Sequence, residues 1–343
     1  MKDIFHRLLD IWSNRNPKTV FATSLLFAGS GLIGLGVGGP HLEAKFKWVT
    51  FNLFQNNPPL APVITVAGLV MIFIAIGIFC WGQKQLSKKK RILILHSGIF
   101  QLKEEDALKN EGKLEILTID HTPYLENGLI SNPAKCLKDI LVLNRNLMSM
   151  SNGFGQDLVY CGLTQVPFAF TTGREISNKQ SIKIKDWNRS KNEWYEPRGP
   201  DDLKDSLLLP IGLDIRDSEL ILKMSISYQI DAEAVARLGI KGVECSLGPE
   251  NIGIANLDSS AKQIRLAYDF HQILDIAQQK NVSMVHIFCA AQASFCFRLG
   301  TQISKTLHPP IMVYQYQKNS HPWAVKLEPG AEPEIVTLEG EMS

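Results

Sequence analysis

The sequence predicts an α/β fold with mostly parallel sheets, built from two related halves and preceded by a two-helix transmembrane hairpin. Three observations carry this reading. Short β-branched and leucine runs such as residues 91–96 (RILILH) alternate with stretches of helical spacing. Residues 165–177 (QVPFAFTTGREIS) recur as residues 292–304 (QASFCFRLGTQIS) at a constant spacing of 127, with six of thirteen positions identical. Two uncharged runs, 19–37 and 61–81, are each about 20 residues long, enough for a helix to cross a hydrocarbon core of roughly 30 Å.

In chain order, residues 1–90 form a leader and the two membrane helices. A cleaved signal peptide fits the first run poorly, because the leader is long and no A-x-A-like site precedes Pro40. Lys2, Arg7, Arg15 and Lys18 precede the first run, and Lys84, Lys88, Lys89, Lys90 and Arg91 follow the second. Positive charge at both ends places the N and C termini in the cytoplasm of a multi-pass inner-membrane protein, with 41–60 as a short outer loop. Residues 29–34 (GSGLIG) match G-x-G-x-x-G, but no strand precedes them and the context is bilayer-length apolar sequence, so a dinucleotide site is rejected. Ser30, Gly34 and Gly38 recur every fourth residue, giving a face where another helix can approach closely.

Two halves follow, 91–200 and 201–343. The first reads as strands at 91–96 and 114–119, a helix at 133–148, a strand at 157–163, the first repeat copy and a strand at 182–187. The polar stretch 188–205, with Pro197, Gly199 and Pro200, reads as a loop at the waist. The second half reads as strands at 207–215 and 220–230, a short helix at 231–238 and a long helix capped by Asp258 or Ser259. Leu266, Phe270, Ile273, Leu274 and Ala277 mark its buried face. The strand opening at Val285, the second repeat copy, and strands at 311–316 and 323–327 close the sheet.

Charge and composition exclude several functions. Residues 1–91 hold eleven of the 36 Lys and Arg but three of the 34 Asp and Glu, leaving the rest with 25 basic and 31 acidic residues. A globular part of net negative charge lacks the positive field that long nucleic acids need. The six cysteines form no CxxC pair and no zinc-spaced cluster with histidine, so no metal is expected and buried free thiols are. No Walker A sequence, G-x-S-x-G elbow or H-E-x-x-H is present, and no cofactor is expected. The acidic groups 104–106 and 201–202 read as solvated surface rather than acid/base pairs. His96 and Ser97 stand at a strand end, with no partner acid identifiable.

The candidate ligand-binding residues are the loops after the strands, where ligands bind in open α/β sheets and helix N-termini attract anions. In the first half these are Ser97, Gly98, Thr164 and Gln165; in the second, Ser227, Tyr228, Ala290, Ala291, Gln292 and Ser294. The alanines let a base or phosphate approach the backbone, Gln292 offers donor and acceptor, and Tyr228 offers a stacking face. Arg174 and Arg298 are candidates for phosphate contact although unmatched in the repeat, Arg298 falling opposite Thr171. The alternative is structural: Gln165 and Gln292 cap helices and the arginines are exposed.

VHIFCAAQASFCFRLG, IMVYQYQ and HPWAV, within residues 285–325, resemble the C-terminal part of SAVED domains, which are two fused CARF-like, Rossmann-like units. The resemblance covers about residues 91–330, with the first half more divergent, and the internal repeat is what such a fusion predicts. With the hairpin, the chain resembles a two-transmembrane SAVED effector of CBASS antiphage defence. The resemblance implies a sensor, not an enzyme. Its ligand would be a cyclic oligonucleotide from a CD-NTase-type nucleotidyltransferase, a cyclic trinucleotide or tetranucleotide. Ligand-induced homo-oligomers would then disrupt membrane lipid and cause abortive infection. No nuclease, protease or NAD-cleaving domain accompanies it, which leaves the hairpin as effector. Two readings stand beside this one, a membrane-anchored Rossmann-like enzyme acting on nucleotides and a soluble sensor on a passive tether.

Overall fold

The structure is a computed structural model that describes residues 44–46, 49–51, 61–86, 91–103, 114–150, 157–177, 182–250 and 252–338. It divides into two units, Met1–Lys89 and Lys90–Ser343. In the first unit, β1 (Ala44–Phe46) pairs antiparallel with β2 (Val49–Phe51), and α1 (Ala61–Leu86) is a 26-residue helix. The expected span 61–81 lies within α1; the expected span 19–37, with Ser30, Gly34 and Gly38, lies outside the described residues. Side chains of α1 are described over 66–78, where Val66, Leu69, Val70, Phe73, Ile74 and Ile76 are exposed. Among the described residues no helix is long and apolar enough to cross a membrane.

The second unit is built from two copies of one design. In the first, β3 (Arg91–Ser97), β4 (Glu115–Asp120), the small hairpin β5 (Leu125–Glu126) and β6 (Leu129–Ile130), and α2 (Pro133–Met150) precede β7 (Asp157–Leu163). Then come α3 (Val166–Ile176), β8 (Ile182–Asn188) and β9 (Glu193–Tyr195). In the second, β10 (Glu219–Ser225), α4 (Ala232–Ala236), β11 (Val243–Leu247), α5 (Ser260–Gln279) and β12 (Met284–Ala290) lead to α6 (Ala293–Thr301). The strands β13 (Ile311–Gln317), β14 (Ser320–Leu327) and β15 (Glu334–Thr337) complete it.

The sheet orders are β4-β3-β7-β8-β9 and β11-β10-β12-β13-β14-β15, so the second repeats the first and adds β15. The first four strands of each sheet are parallel and the remainder antiparallel. The spacing of 127 runs well beyond the thirteen-residue repeat: β7 maps onto β12 at both ends, and α2 and α3 begin 127 residues before α5 and α6. Even the helix caps correspond, with Asn132 Oδ1 accepting from Lys135 N and Ser259 Oγ from Lys262 N.

One hydrophobic core joins the halves. Ile92, Ile94, Leu158 and Tyr160 of the first sheet share it with Leu220, Leu222, Val285 and Ile287 of the second. Between the sheets, α3 and α6 pack on each other through the matched Gly173 and Gly300. A Cβ on Gly173 would overlap the carbonyl oxygen of Phe297, and one on Gly300 that of Phe170. Phe170 and Phe297 are themselves a matched pair, so the contact is reciprocal about a pseudo-twofold axis. Around it, Tyr160 stacks on Phe297 with ring centroids 3.7 Å apart and Phe168 meets Trp323 at 5.1 Å.

The sequence reading needs several corrections here. Residues 207–215 form no strand: Pro210 has no amide hydrogen to give a ladder, Gly212 turns at φ +83°, and Leu207 N bonds Asp269 Oδ2 instead. The expected strand 220–230 ends at Ser225, where Ile226 and Ser227 turn their amides to Ala290 O. The expected waist loop contains β9, and β11 and β15 are additional strands. Alternation in VECSL, with Glu244 and Ser246 exposed and Cys245 and Leu247 buried, is an edge-strand signal that polar residues disguise. Asp201 and Asp202 are paired rather than merely solvated: Asp201 takes Arg265 through both oxygens at 2.9 and 2.8 Å, and Asp202 takes Lys262 at 3.1 Å. The Arg265 guanidinium holds the Asp201 carboxyl down at about 2. Residues 104–106 lie outside the described residues.

Candidate functional site

Parallel strands deliver their following loops to one end of the sheet, and the two sheets here do so with matching hydrogen bonds. After β3, Ser97 Oγ accepts from Leu102 N at 3.1 Å; after β10, Ser225 Oγ accepts from Ile230 N at 3.1 Å. After β7, Gly98 N bonds Leu163 O at 2.8 Å; after β12, Ser227 N bonds Ala290 O at 2.8 Å. The structure thus brings Ser97, Gly98, Thr164 and Gln165 together in one loop cluster, and Ser227, Ala290, Ala291 and Gln292 in the other.

The repeated glutamines occupy nearly identical backbone positions before their helices, at φ −62°, ψ 146° for Gln165 and φ −61°, ψ 147° for Gln292. Neither side chain caps its helix, contrary to the structural alternative. Gln165 Nε2 donates to Gly98 O at 2.7 Å, and Gln292 Nε2 to Ile254 O at 2.7 Å, so each clamps the neighbouring strand-end loop. Glycine is required at 98, because a Cβ there would sit 2.7 Å from Gln165 Oε1 and 2.8 Å from Thr164 Cα.

The clusters differ in what they leave unsatisfied. In the first, Thr164 Oγ1 donates to Gln165 Oε1 at 3.2 Å, so both functional groups of the glutamine are used. In the second, Ser227 Oγ and Gln292 Oε1 are buried without a hydrogen-bond partner, whereas the Ser294 hydroxyl bonds across the halves to Asp186. Each such atom costs about 1–3 kcal/mol unless water or a ligand satisfies it. Ser294 opens α6 beside Asp186 of β8, a carboxyl from the opposite half. Burial raises Asp186 to about 6, although the Trp187 amide donates to its Oδ1 at 2.9 Å and the Ser294 hydroxyl also bonds the carboxylate, both of which oppose the rise. Strand register places Asp186 where the second half has Gln315, since Val159 pairs with Lys183 as His286 pairs with Met312.

Behind the first cluster, His96 is buried between Tyr160 Oη at 3.2 Å and His121 at 3.4 Å. Burial first, and the neighbouring imidazole second, hold His96 well below its usual range, and burial lowers His121 to about 4. Both rings are neutral near pH 7, and neither has the partner acid that proton transfer would use.

The arginines are placed differently from the sequence expectation. Arg174 lies two turns along α3 and is 2% exposed, donating to Glu328 O at 2.7 Å and pairing with Glu175 at 3.1 Å, so it does not reach the strand ends. Arg298 faces the first turn of α5 and donates to Gln263 Oε1 at 3.3 Å and Ser260 Oγ at 3.4 Å. It has no carboxylate partner among the described residues, and burial lowers it to about 10. Tyr228 is exposed at the rim, as the stacking role requires. Ile99 and Phe100 after β3, and Ile252 and Ile254 after β11, are exposed beside the same loops and escaped the sequence reading. For Ile99 the signal was an apolar residue directly after a strand-end glycine.

The pseudo-symmetry also breaks at the flanks. Beyond β9 the chain leaves its sheet and closes on the N-terminus of α5, with Gly199 N to Asp258 O at 2.6 Å and Ser260 N to Pro197 O at 3.1 Å. On the other flank β14 stays in its sheet, and a cavity of about 750 Å³ lies between the N-terminus of α2 and the β13–β14 hairpin, lined by Ile130, Asn132, Lys318 and Trp323.

A duplicated parallel-sheet unit with a strand-end loop cluster in each half has the form of a two-lobed domain whose strand ends are its candidate ligand site. The chain belongs to the SAVED family, "SMODS-associated and fused to various effectors sensor domain", whose model matches residues 144–327. Similar solved structures include the Acinetobacter baumannii Cap4 SAVED/CARF-domain containing receptor with the cyclic trinucleotide 3'3'3'-cAAA, at 12% identity and a TM-score of 0.49, covering 79% of this chain and 60% of that one. The Moraxella osloensis Cap4 receptor gives 13% identity and a TM-score of 0.47 with the same coverages. The chain therefore spans about three fifths of the length of these receptors. No curated protein matches it.

Proposed function

We propose that the chain is a membrane effector of CBASS defence that senses a cyclic oligonucleotide, a cyclic tri- or tetranucleotide made by a CD-NTase-type nucleotidyltransferase. The observation that carries this reading is the pair of matched strand-end clusters, one closed by its own hydrogen bonds and one with the buried oxygens Ser227 Oγ and Gln292 Oε1 left to satisfy. Ser227, Gln292 and Ser294 would take polar edges of bases or ribose, and Tyr228 would stack on a base. Arg298, which has no carboxylate partner among the described residues, would meet a phosphate approaching from the α5 side. Membership of a sensor family and the exposed apolar face of α1 support the remaining steps: ligand binding assembles subunits, gathers their N-terminal helices in the inner membrane and breaches it.

Thermal shift of the detergent-solubilised full chain against a panel of cyclic di-, tri- and tetranucleotides tests the sensor. One member should raise Tm strongly, and no response from any member removes the reading. Deleting residues 1–83 tests the effector. Expression with the cognate nucleotidyltransferase should then no longer kill, whereas undiminished killing would make the hairpin a tether. The second reading, a membrane-anchored Rossmann-like enzyme acting on nucleotides, draws its support from Asp186, a carboxyl that titrates at about 6 beside Ser294. Product analysis after incubation with the same panel separates the two, since the sensor returns its ligand unchanged.

A further inference from the structure

Away from the strand ends, His271 and Asp275 stand one turn apart on α5, and His308 reaches them from the connection between α6 and β13. One donor atom from each lies within 4.8 Å of the others. The hydrogen bonds around them fix the tautomers. His271 Nδ1 is 3.1 Å from the carbonyl oxygen of Gln302, which can only accept, so Nδ1 carries the hydrogen and the neutral ring presents a bare lone pair at Nε2. That lone pair faces Asp275 Oδ2 at 3.6 Å. In the neutral ring two acceptors confront each other, a gap that either a proton on Nε2 or a metal ion can bridge. His308 is set the other way: its Nδ1 accepts from Ser304 N at 3.0 Å, which leaves the hydrogen on Nε2, 3.4 Å from Asp275 Oδ1.

We propose that this site binds a divalent transition-metal ion of the Zn²⁺ class, with His271 Nε2 and Asp275 Oδ2 as protein ligands and water completing the shell. Zinc bonds to nitrogen and oxygen of about 2.0–2.2 Å in tetrahedral array put ligand atoms roughly 3.3–3.5 Å apart, close to the separation found. Each ligand is already oriented from outside, His271 by a backbone carbonyl and Asp275 by the His308 N–H, which makes His308 a positioning residue. Imidazole disfavours Mg²⁺ and Ca²⁺, which prefer all-oxygen shells. The ion would clamp one turn of α5, and the outer partners of its ligands, Gln302 O and His308, lie on the 302–308 connection, the segment whose Lys305 also pairs with Glu175 of the first half at 2.6 Å.

The test uses the full chain without a histidine tag, stripped by chelator and titrated with ZnCl₂ at pH 7.5 by calorimetry and thermal shift. The wild type should bind one equivalent saturably and gain Tm, and MgCl₂ should do neither. His271→Ala and Asp275→Asn, both at partly exposed positions, should keep the metal-free Tm and each weaken Zn²⁺ binding at least about 10-fold. His308→Ala should weaken it by about 10-fold, and His308→Gln, whose amide can donate to Asp275, by less. Absence of saturable Zn²⁺ binding overturns the proposal, as does undiminished affinity in both ligand variants. Asp275→Asn preserves size, so the outcome does not depend on the alanine variant folding.

Discussion

The two halves of the Lys90–Ser343 unit share strand order, helix starts, caps and the reciprocal glycine contact, yet their ligand-facing ends are unlike. The first half closes its strand ends with Gln165, Thr164 and Gly98 and backs them with neutral histidines. The second leaves the oxygens Ser227 Oγ and Gln292 Oε1 buried without a partner and adds an exposed tyrosine. Duplication has kept what the core and the pseudo-twofold axis require, while the loops that meet solvent have diverged. The difference teaches that the same strand-end geometry can be closed by its own hydrogen bonds in one half and left partly unpaired in the other.

Six variants break or sharpen this comparison. The largest effect belongs to what the halves share. Gly173→Ala and Gly300→Ala each drive a Cβ into backbone that side-chain motion cannot relieve, and each should cost about 3 kcal/mol by denaturant unfolding. Near-equal losses uphold the pseudo-twofold contact, whereas one mild and one severe loss would refute it.

Asp186 comes next, as a charge where the second half has neutral Gln315. An acid whose folded value is raised, from 3.8 to about 6, destabilises as pH rises through that window and stays destabilising above it. Asp186→Asn should therefore gain on the order of 3 kcal/mol above pH 7 and nothing below pH 4, a pH-dependent difference that urea titrations would read. A pH-independent change would show that the carboxyl is not strained by burial.

Tyr228→Ala should cost about 1–3 kcal/mol of ligand affinity while Tm stays within a degree or so of wild type, since the ring is exposed. Unchanged affinity for a ligand found in the panel would remove Tyr228 from the site. Smallest are the paired clamps. Gln165→Ala and Gln292→Ala each lose one hydrogen bond to a loop carbonyl, about 1 kcal/mol of stability, but only Gln292→Ala should also weaken ligand binding. Equal binding losses from both would mean that the halves read the ligand alike.

Much of the fold was legible because burial leaves a periodic trace. Residues 91–96, 157–163 and the apolar face of α5 announced themselves by apolar pattern, and the thirteen-residue repeat exposed the duplication. Its full reach did not show, because β11 and β9 alternate with polar residues and match their counterparts in geometry, not identity. Residues 207–215 misled for the opposite reason, with Leu207 and Ile215 buried as isolated plugs and Ile211 fully exposed between them. At the candidate site, strand ends were readable from their turns. Arg174 was not, since nothing in the sequence says that Glu328, 154 positions away, offers it a carbonyl. Asp186 went unnoticed because an acid in a strand looks exposed until its opposite half is known.

The crossing of α3 and α6 has a mechanical meaning. Backbone lies against backbone at Gly173 and Gly300, so no side chain separates the helices at their crossing, and that close contact can serve as a pivot within the shared core. A ligand that draws the strand ends together would lever the far ends apart, where Arg174 holds Glu328 and Lys305 holds Glu175. We expect faster amide hydrogen exchange around 174–177 and 302–308 in the liganded protein. Slower exchange there would show that the lobes close as one body rather than rocking.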